Sequence, residues 1–358
     1  MDKLTSKKLL LNRIRLSESD TFECNETAIL KAYETQDENK SSIAIKILSV
    51  FGGLLATLAL LGFLLLAGLY DSERGLLVLG IAFIGFAIFI NATYNKVITG
   101  AFSVSTYVLG YALLIFGLKE MQVDDNIIVV IPIVIAVVSL ALMQNYILVF
   151  IATLIISASF LTFIISNDLY AFIHLYIAVY TLFLAYIFFN EARLISRSKK
   201  IASLYAPMRV GVIFSLLSGL IAIGKVGLIP VSQYYFWVSS LIIVGVIMYL
   251  IYTILKVSKI EMLKTKLLIY GFSSLVLIPI IFSPSILGAI TIMLLCFMVN
   301  YKSGLVIGIV AFIYFISQYY YDLTYTLFTK SIILMASGII FLLFYLFITK
   351  KGFQNEKI

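Results

Sequence analysis

The sequence predicts an all-α fold: a polytopic transmembrane helix bundle of about 12 spans (10–12) behind a short cytoplasmic N-terminal helical segment. Three observations predict it. First, 62% of the 358 residues are hydrophobic and only 12% are charged, whereas soluble domains carry about 25% charged and roughly 45–50% apolar residues. Second, the apolar residues form continuous runs close to the roughly 20 residues an α-helix needs to cross the hydrocarbon core. Barrel strands would instead alternate polar and apolar residues. Third, the basic residues sort by side when the runs are taken to alternate across a bilayer. A mean hydropathy of +1.09 agrees.

Residues 1–43 form the polar N-terminal segment. Leu4–Leu16 and Phe22–Tyr33 are short helix candidates joined by Ser17-Glu18-Ser19-Asp20, whose oxygens suit capping of the second. Leu9, Leu10, Ile14 and Leu16 mix with Lys7, Lys8, Arg13 and Arg15. This segment reads either as a basic amphipathic helix on a membrane surface or as a basic tail that enforces topology. It is too polar for a signal peptide, so the first span is expected to act as the insertion signal.

Six spans are expected within 44–189: Ala44–Tyr70, Gly75–Ala92, Val97–Leu118, Asn126–Met143, Tyr146–Ser166 and Leu169–Phe189. Residues 190–209 are read as a cytoplasmic loop. Six more spans follow within 210–349: Val210–Ile229, Tyr234–Leu255, Leu267–Phe282, Ile286–Val299, Ser303–Gln318 and Lys330–Thr349, with a tail at 350–358. The run Ile286–Val299 is short enough to be re-entrant. Pro279 and Pro284 mark this region as the best candidate for broken backbone. Gly304-Leu-Val-Ile-Gly308 is a GxxxG, a spacing that lets helices approach closely.

With the N-terminus inside, cytoplasmic segments hold 22 of the 26 Lys and Arg residues, and only Arg74, Lys119, Lys225 and Lys330 fall at the outer boundary. The acids Asp71, Glu73, Glu120, Asp124, Asp125, Asp168 and Asp322 lie outside. The bias places both termini in the cytoplasm. It also explains the net charge of +8 by an anionic leaflet, so nucleic acid is not expected as a partner.

Ionisable residues within spans are functional candidates because burying them in lipid is unfavourable. No Asp, Glu or Arg is expected in the middle of a span. His174 and Lys225 are each about a turn inside the outer ends of their helices, level with Asp168, Asp322 and Lys330. These five either line an outer vestibule or sit at the boundary, Lys225 by snorkelling. Tyr234-Tyr235-Phe236-Trp237 and Tyr319-Tyr320-Tyr321 match an aromatic belt. The lone His174, and Cys24 and Cys296 far apart, give no metal-ligand spacing, so no metal or cofactor is expected. No P-loop, GxSxG, HExxH or Rossmann glycine pattern occurs.

The run Gln318-Tyr-Tyr-Tyr-Asp-Leu-Thr-Tyr-Thr-Leu-Phe-Thr-Lys-Ser-Ile-Ile-Leu-Met-Ala-Ser-Gly338 joins an aromatic cluster, a Leu-containing link, a Lys-Ser pair and a helix with Gly. It resembles the closing segment of a bacterial membrane family known as domain of unknown function 4401, related to 2157. Ile47–Leu69 and Phe102–Leu118 fit the same family, with Gly110-Tyr111 where a Gly-Gln pair is expected. The resemblance implies a multi-pass inner-membrane protein without specifying an activity. Its motif falls on Tyr320, Tyr321, Lys330 and Ser331.

The function expected from the sequence is that of a non-catalytic envelope component or partner subunit in the bacterial cytoplasmic membrane. Its surroundings are the lipid bilayer and a membrane protein partner. The alternative is a transporter or lipid-handling protein for a neutral or lipidic substrate. An enzyme is disfavoured because no catalytic constellation is present.

Overall fold

The computed structural model describes residues 43–68, 72–93, 97–143, 145–225, 227–231, 235–257 and 262–322, with a few isolated positions beyond them. The two N-terminal helix candidates, the last span Lys330–Thr349, Lys330 and Ser331 lie outside these residues.

Twelve helices, numbered in chain order, are described: α1 Ile43–Leu66, α2 Glu73–Thr93, α3 Val97–Glu120, α4 Asp125–Leu142, α5 Tyr146–Ser166, α6 Phe172–Phe189, α7 Glu191–Arg197, α8 Lys199–Gly224, α9 Phe236–Val257, α10 Leu263–Leu277, α11 Pro284–Met298 and α12 Lys302–Asp322. No strand occurs among the described residues. Eight of the helices are long and apolar enough to cross a membrane, by length and composition. The short α7 and the first turns of α8 occupy the polar stretch 190–209, so the seventh apolar helix begins eleven residues before Val210.

Local chemistry sets the turns. Asp124 accepts from the Asn126 amide at 2.8 Å, and Asn145 accepts from the Ile147 amide at 2.9 Å, capping the orphan N–H groups of α4 and α5. Ser198 caps α8 at the Ile201 amide. Gln122, Asp168 and Asn300 end α3, α5 and α11 in the left-handed region. In each case the next residue donates five positions back: Val123 to Leu118, Leu169 to Ile164 and Tyr301 to Cys296. This is the Schellman arrangement, which satisfies carbonyls that a helix end leaves bare. The Asn167 amide donates to the Asn126 side chain at 2.7 Å, so the α3–α4 and α5–α6 turns share one end of the bundle. Lys200 donates to the Ala141 carbonyl, which places the α4–α5 turn with the start of α8 at the other end.

Small residues set the closest helix contacts, as expected where lipid removes the hydrophobic drive between helices. A Cβ on Gly80 would stand 2.7 Å from the Leu114 amide nitrogen and 2.9 Å from the Gly110 carbonyl oxygen, so the α2 and α3 backbones touch. Gly211 of α8 meets Thr153 of α5, and Gly219 meets the Tyr176 ring of α6. The GxxxG of α12 works in the same way: Gly308 lies against the Met293 backbone of α11.

The larger core collects residues of α6, α8, α9, α11 and α12, joined by Ile164 of α5 and Leu277 of α10. A second gathers α2 to α5, with Leu204 and Met208 of α8 against it. Helices α5 and α8 therefore touch both cores, so the packing does not divide at the polar stretch after α6. Helix α11 has only 15 residues, but ten of them are buried. Other helices surround it, and little of its length faces outward.

Candidate functional site

Two breaks in regular helix and the last turns of α12 build a pocket at the end that carries Lys225. Helix α8 stops at Gly224, and Gly227 reverses the chain at φ +84, a region open to glycine. After α10, a 3-10 turn over Ile278–Ile280 leads to Ser283, and α11 starts at Pro284. The broken backbone expected from the two prolines is therefore present. The last turns of α12 bring in Phe315, Tyr319 and Asp322. Gly224 lets the three helices converge: a Cβ there would lie 3.0 Å from Ser285 and 3.3 Å from Phe315.

The resulting cavity holds about 360 Å³. Lys225, Asp322, Tyr319, Ser283 and Ser285 supply its polar chemistry, and Ile223, Phe236, Phe282 and Phe315 supply apolar wall. The Gln318 side-chain amide donates to both Asp322 oxygens at 3.0 and 3.1 Å, which fixes the carboxylate. The Ser283 hydroxyl does not cap α11. A cation, an anion, three hydroxyls and a helix N-terminus thus share one cavity.

Other residues expected at this level behave differently. His174 is buried at 2% exposure and does not line the pocket. Its Nδ1 lies 3.1 Å from the Ser239 hydroxyl, and that hydroxyl donates to the Phe236 carbonyl at 3.2 Å. Where the Ser239 proton goes to the Phe236 carbonyl, Ser239 accepts from His174 Nδ1–H. Nε2 is then the acceptor nitrogen, and it is buried without a partner among the described residues. The ring packs on Phe236 at 5.7 Å, so His174 braces a wall of the pocket from behind. Asp168 stands apart in the α5–α6 turn and accepts from the Tyr170 hydroxyl at 2.6 Å. That bond raises the Tyr170 phenol above its ordinary value. Tyr320 and Tyr321 pack edge to face at 6.0 Å and do not enter the pocket. Tyr235 and Trp237 are more than half exposed, as belt residues would be.

Arg209, read from the sequence as part of the cytoplasmic stretch 190–209, lies within a helix. Because α8 begins at Lys199, Arg209 is its eleventh residue, and its side chain is only 12% exposed. It forms an ion pair with Glu191 of α7 at 3.1 Å. Its guanidinium carbon lies 3.8 Å from the Tyr301 ring centre and 5.1 Å from that of Tyr205. The Schellman turn at Asn300 is what delivers Tyr301 to this position. Stacking plus one ion pair suits a planar, weakly hydrated guanidinium. Arg209 therefore ties the α6–α7 corner, α8 and the α11–α12 turn together, at the end opposite Lys225.

A family model described as a domain of unknown function (DUF4401) matches residues 43–351. The chain belongs to this family. No curated protein and no solved structure matches it. Family membership and the eight long apolar helices make it a helical membrane protein.

Between the two ends, several polar groups of this family member turn inward and bond within the bundle. The Tyr176 hydroxyl donates to the Ser215 carbonyl at 2.8 Å, and the Ser218 hydroxyl donates to the same carbonyl at 2.7 Å. The Tyr107 and Tyr111 hydroxyls meet at 3.2 Å. The hydroxyls of Thr181 and Ser240 are buried without a partner among the described residues. No cluster of three or more His, Cys, Asp or Glu that would hold a metal occurs among the described residues. Neither Arg209 nor the Tyr176–Ser215 pair was singled out from the sequence. For Arg209 a signal existed: it follows Tyr205 at i+4, which puts both on one helix face.

Proposed function

We propose that the protein is a non-catalytic component of the bacterial cytoplasmic membrane, working as a partner subunit of an envelope assembly. Both termini and the Arg209 end face the cytoplasm in this reading, and the Lys225 pocket faces outward. The observation that carries it is the close helix packing at mid-depth among the described residues. Glycine-to-backbone contacts along α2–α3 and α11–α12, and inward hydrogen bonds of Tyr176 and Ser218, bring mid-depth side chains together. A solute carrier of the broken-helix type places its polar site near the midplane. Here the polar pocket lies at one end. The strong sidedness of Lys and Arg supports the orientation.

Purification from native membranes in mild detergent, with mass spectrometry of everything retained, tests this reading. The expected result is a stoichiometric membrane protein partner. A protein recovered alone, with only lipid or a small molecule, would contradict the subunit reading and favour the second one. That second reading is lipid handling, and the pocket of mixed charge and aromatic wall supports it.

A further inference from the structure

We infer that the pocket between α8, α11 and α12 binds a phosphate ester bearing a primary ammonium group, supplied as the headgroup of an aminophospholipid. The inference deepens the lipid-handling reading and rests on it. Three features of the pocket carry it. The first is a phosphate position. Lys225 and the first turn of α11 line the same cavity; Pro284 has no N–H and the Ile286 and Leu287 amides donate to the Ser283 carbonyl, so the turn offers an anion its positive dipole end and at most the Ser285 N–H. Ser283 and Ser285 add hydroxyls there. The second is an ammonium position. Asp322 lines the cavity with its carboxylate oriented by Gln318, and a carboxylate accepts from an ammonium at roughly twice the strength of a neutral pair. The third is the exit for acyl chains. Phe282 lines the pocket and is 74% exposed, so an apolar residue of its wall reaches the surface of the described bundle, where acyl chains would leave.

A simple anion would leave Asp322 facing it, and a simple cation would leave Lys225 facing it. A ligand with both charges satisfies both residues. The volume of about 360 Å³ falls within the roughly 300–1,000 Å³ of ligand sites. That suits a headgroup and the start of its chains rather than a whole lipid.

The test uses the full chain in nanodiscs made of equal parts phosphatidylethanolamine and phosphatidylglycerol, with retained lipid read by native mass spectrometry after gentle detergent release. The expected result is a phosphatidylethanolamine preference of about tenfold, the size of one charge-assisted hydrogen bond. Asp322→Asn should abolish the preference while still retaining lipid. Lys225→Gln should reduce retention of both lipids. Circular dichroism and gel filtration confirm that each variant is folded. Retention that is equal for both lipids and unchanged in both variants would overturn the site while leaving lipid handling standing. Retention of no lipid would overturn both. Displacement of the lipid by free phosphoethanolamine at modest excess would overturn the lipid source and assign the site to the soluble ester.

Discussion

Arg209→Ala should destabilise the protein by about 2–4 kcal/mol, and Arg209→Lys should recover only part of the loss. Removing one member of a buried ion pair typically costs about 3–5 kcal/mol, because the other charge is left uncompensated. The lower range applies because the Glu191 side chain is 31% exposed and partly reaches solvent. The stacking on Tyr301 at 3.8 Å adds a contribution that alanine also deletes. Lysine restores a charge for Glu191 but has no planar face for the ring. Cys296, buried in the native bundle beside the α11–α12 turn, is a natural reporter. In a Cys24→Ser background, a thiol-reactive dye should label Cys296 at a clearly lower temperature in Arg209→Ala than in the parent. Equal unfolding temperatures would show that the Arg209 cluster does not hold the two elements together.

Gly80→Leu should disrupt the α2–α3 pair, with a loss of about 3 kcal/mol or failure to accumulate in the membrane. Overpacking a close-packed site commonly costs about 1–3 kcal/mol even where side chains can move. At Gly80 the obstacle is backbone: the Leu114 nitrogen at 2.7 Å and the Gly110 oxygen at 2.9 Å from the position of a Cβ. Membrane helices have little hydrophobic drive to pair again in a looser geometry. Gly85→Leu, on the same helix, is the control. A Cβ there meets nothing within 4 Å, so its level and melting behaviour should match the parent. If the two variants behave alike in expression level and thermal unfolding, the close α2–α3 contact is not what holds that pair.

Much of the fold was legible because lipid leaves so few solutions. A run such as Tyr146–Ser166 in hydrocarbon has to satisfy its own backbone, and it forms α5 over those same residues. The turns were legible where capping chemistry is local, as at Asn145. The polar stretch after α6 was not. Hydropathy records what lipid excludes, whereas α8 starts at Lys199 because Ser198 caps it and its polar first turns rest on neighbouring helices. That three-turn extension is what carries Arg209 into the bundle.

The candidate site was legible in part for a similar reason. Lys225, Asp322 and the Pro279–Pro284 break were visible as depth and backbone signals, and all three bear on one pocket. Depth alone could not separate His174, which points at Ser239, from Lys225, which lines the cavity. Helix rotation decides that, and rotation is set by contacts such as Gly219 against Tyr176, which no single helix encodes. Asp168 shared the same depth but sits in a turn, where its left-handed backbone ends α5.

Single-cysteine labelling on the two sides of α6 tests the membrane arrangement most directly. Ser166→Cys, at the end of α5, and Ser196→Cys, in α7, are near-isosteric changes at exposed positions that flank α6. Each would be made in a chain with Cys24 and Cys296 replaced by serine and alanine. In spheroplasts, a membrane-impermeant maleimide should label the cysteine at 166 at once and the cysteine at 196 only after lysis. Labelling of both from outside, or of 196 alone, would contradict a crossing α6 with the Lys225 pocket facing outward.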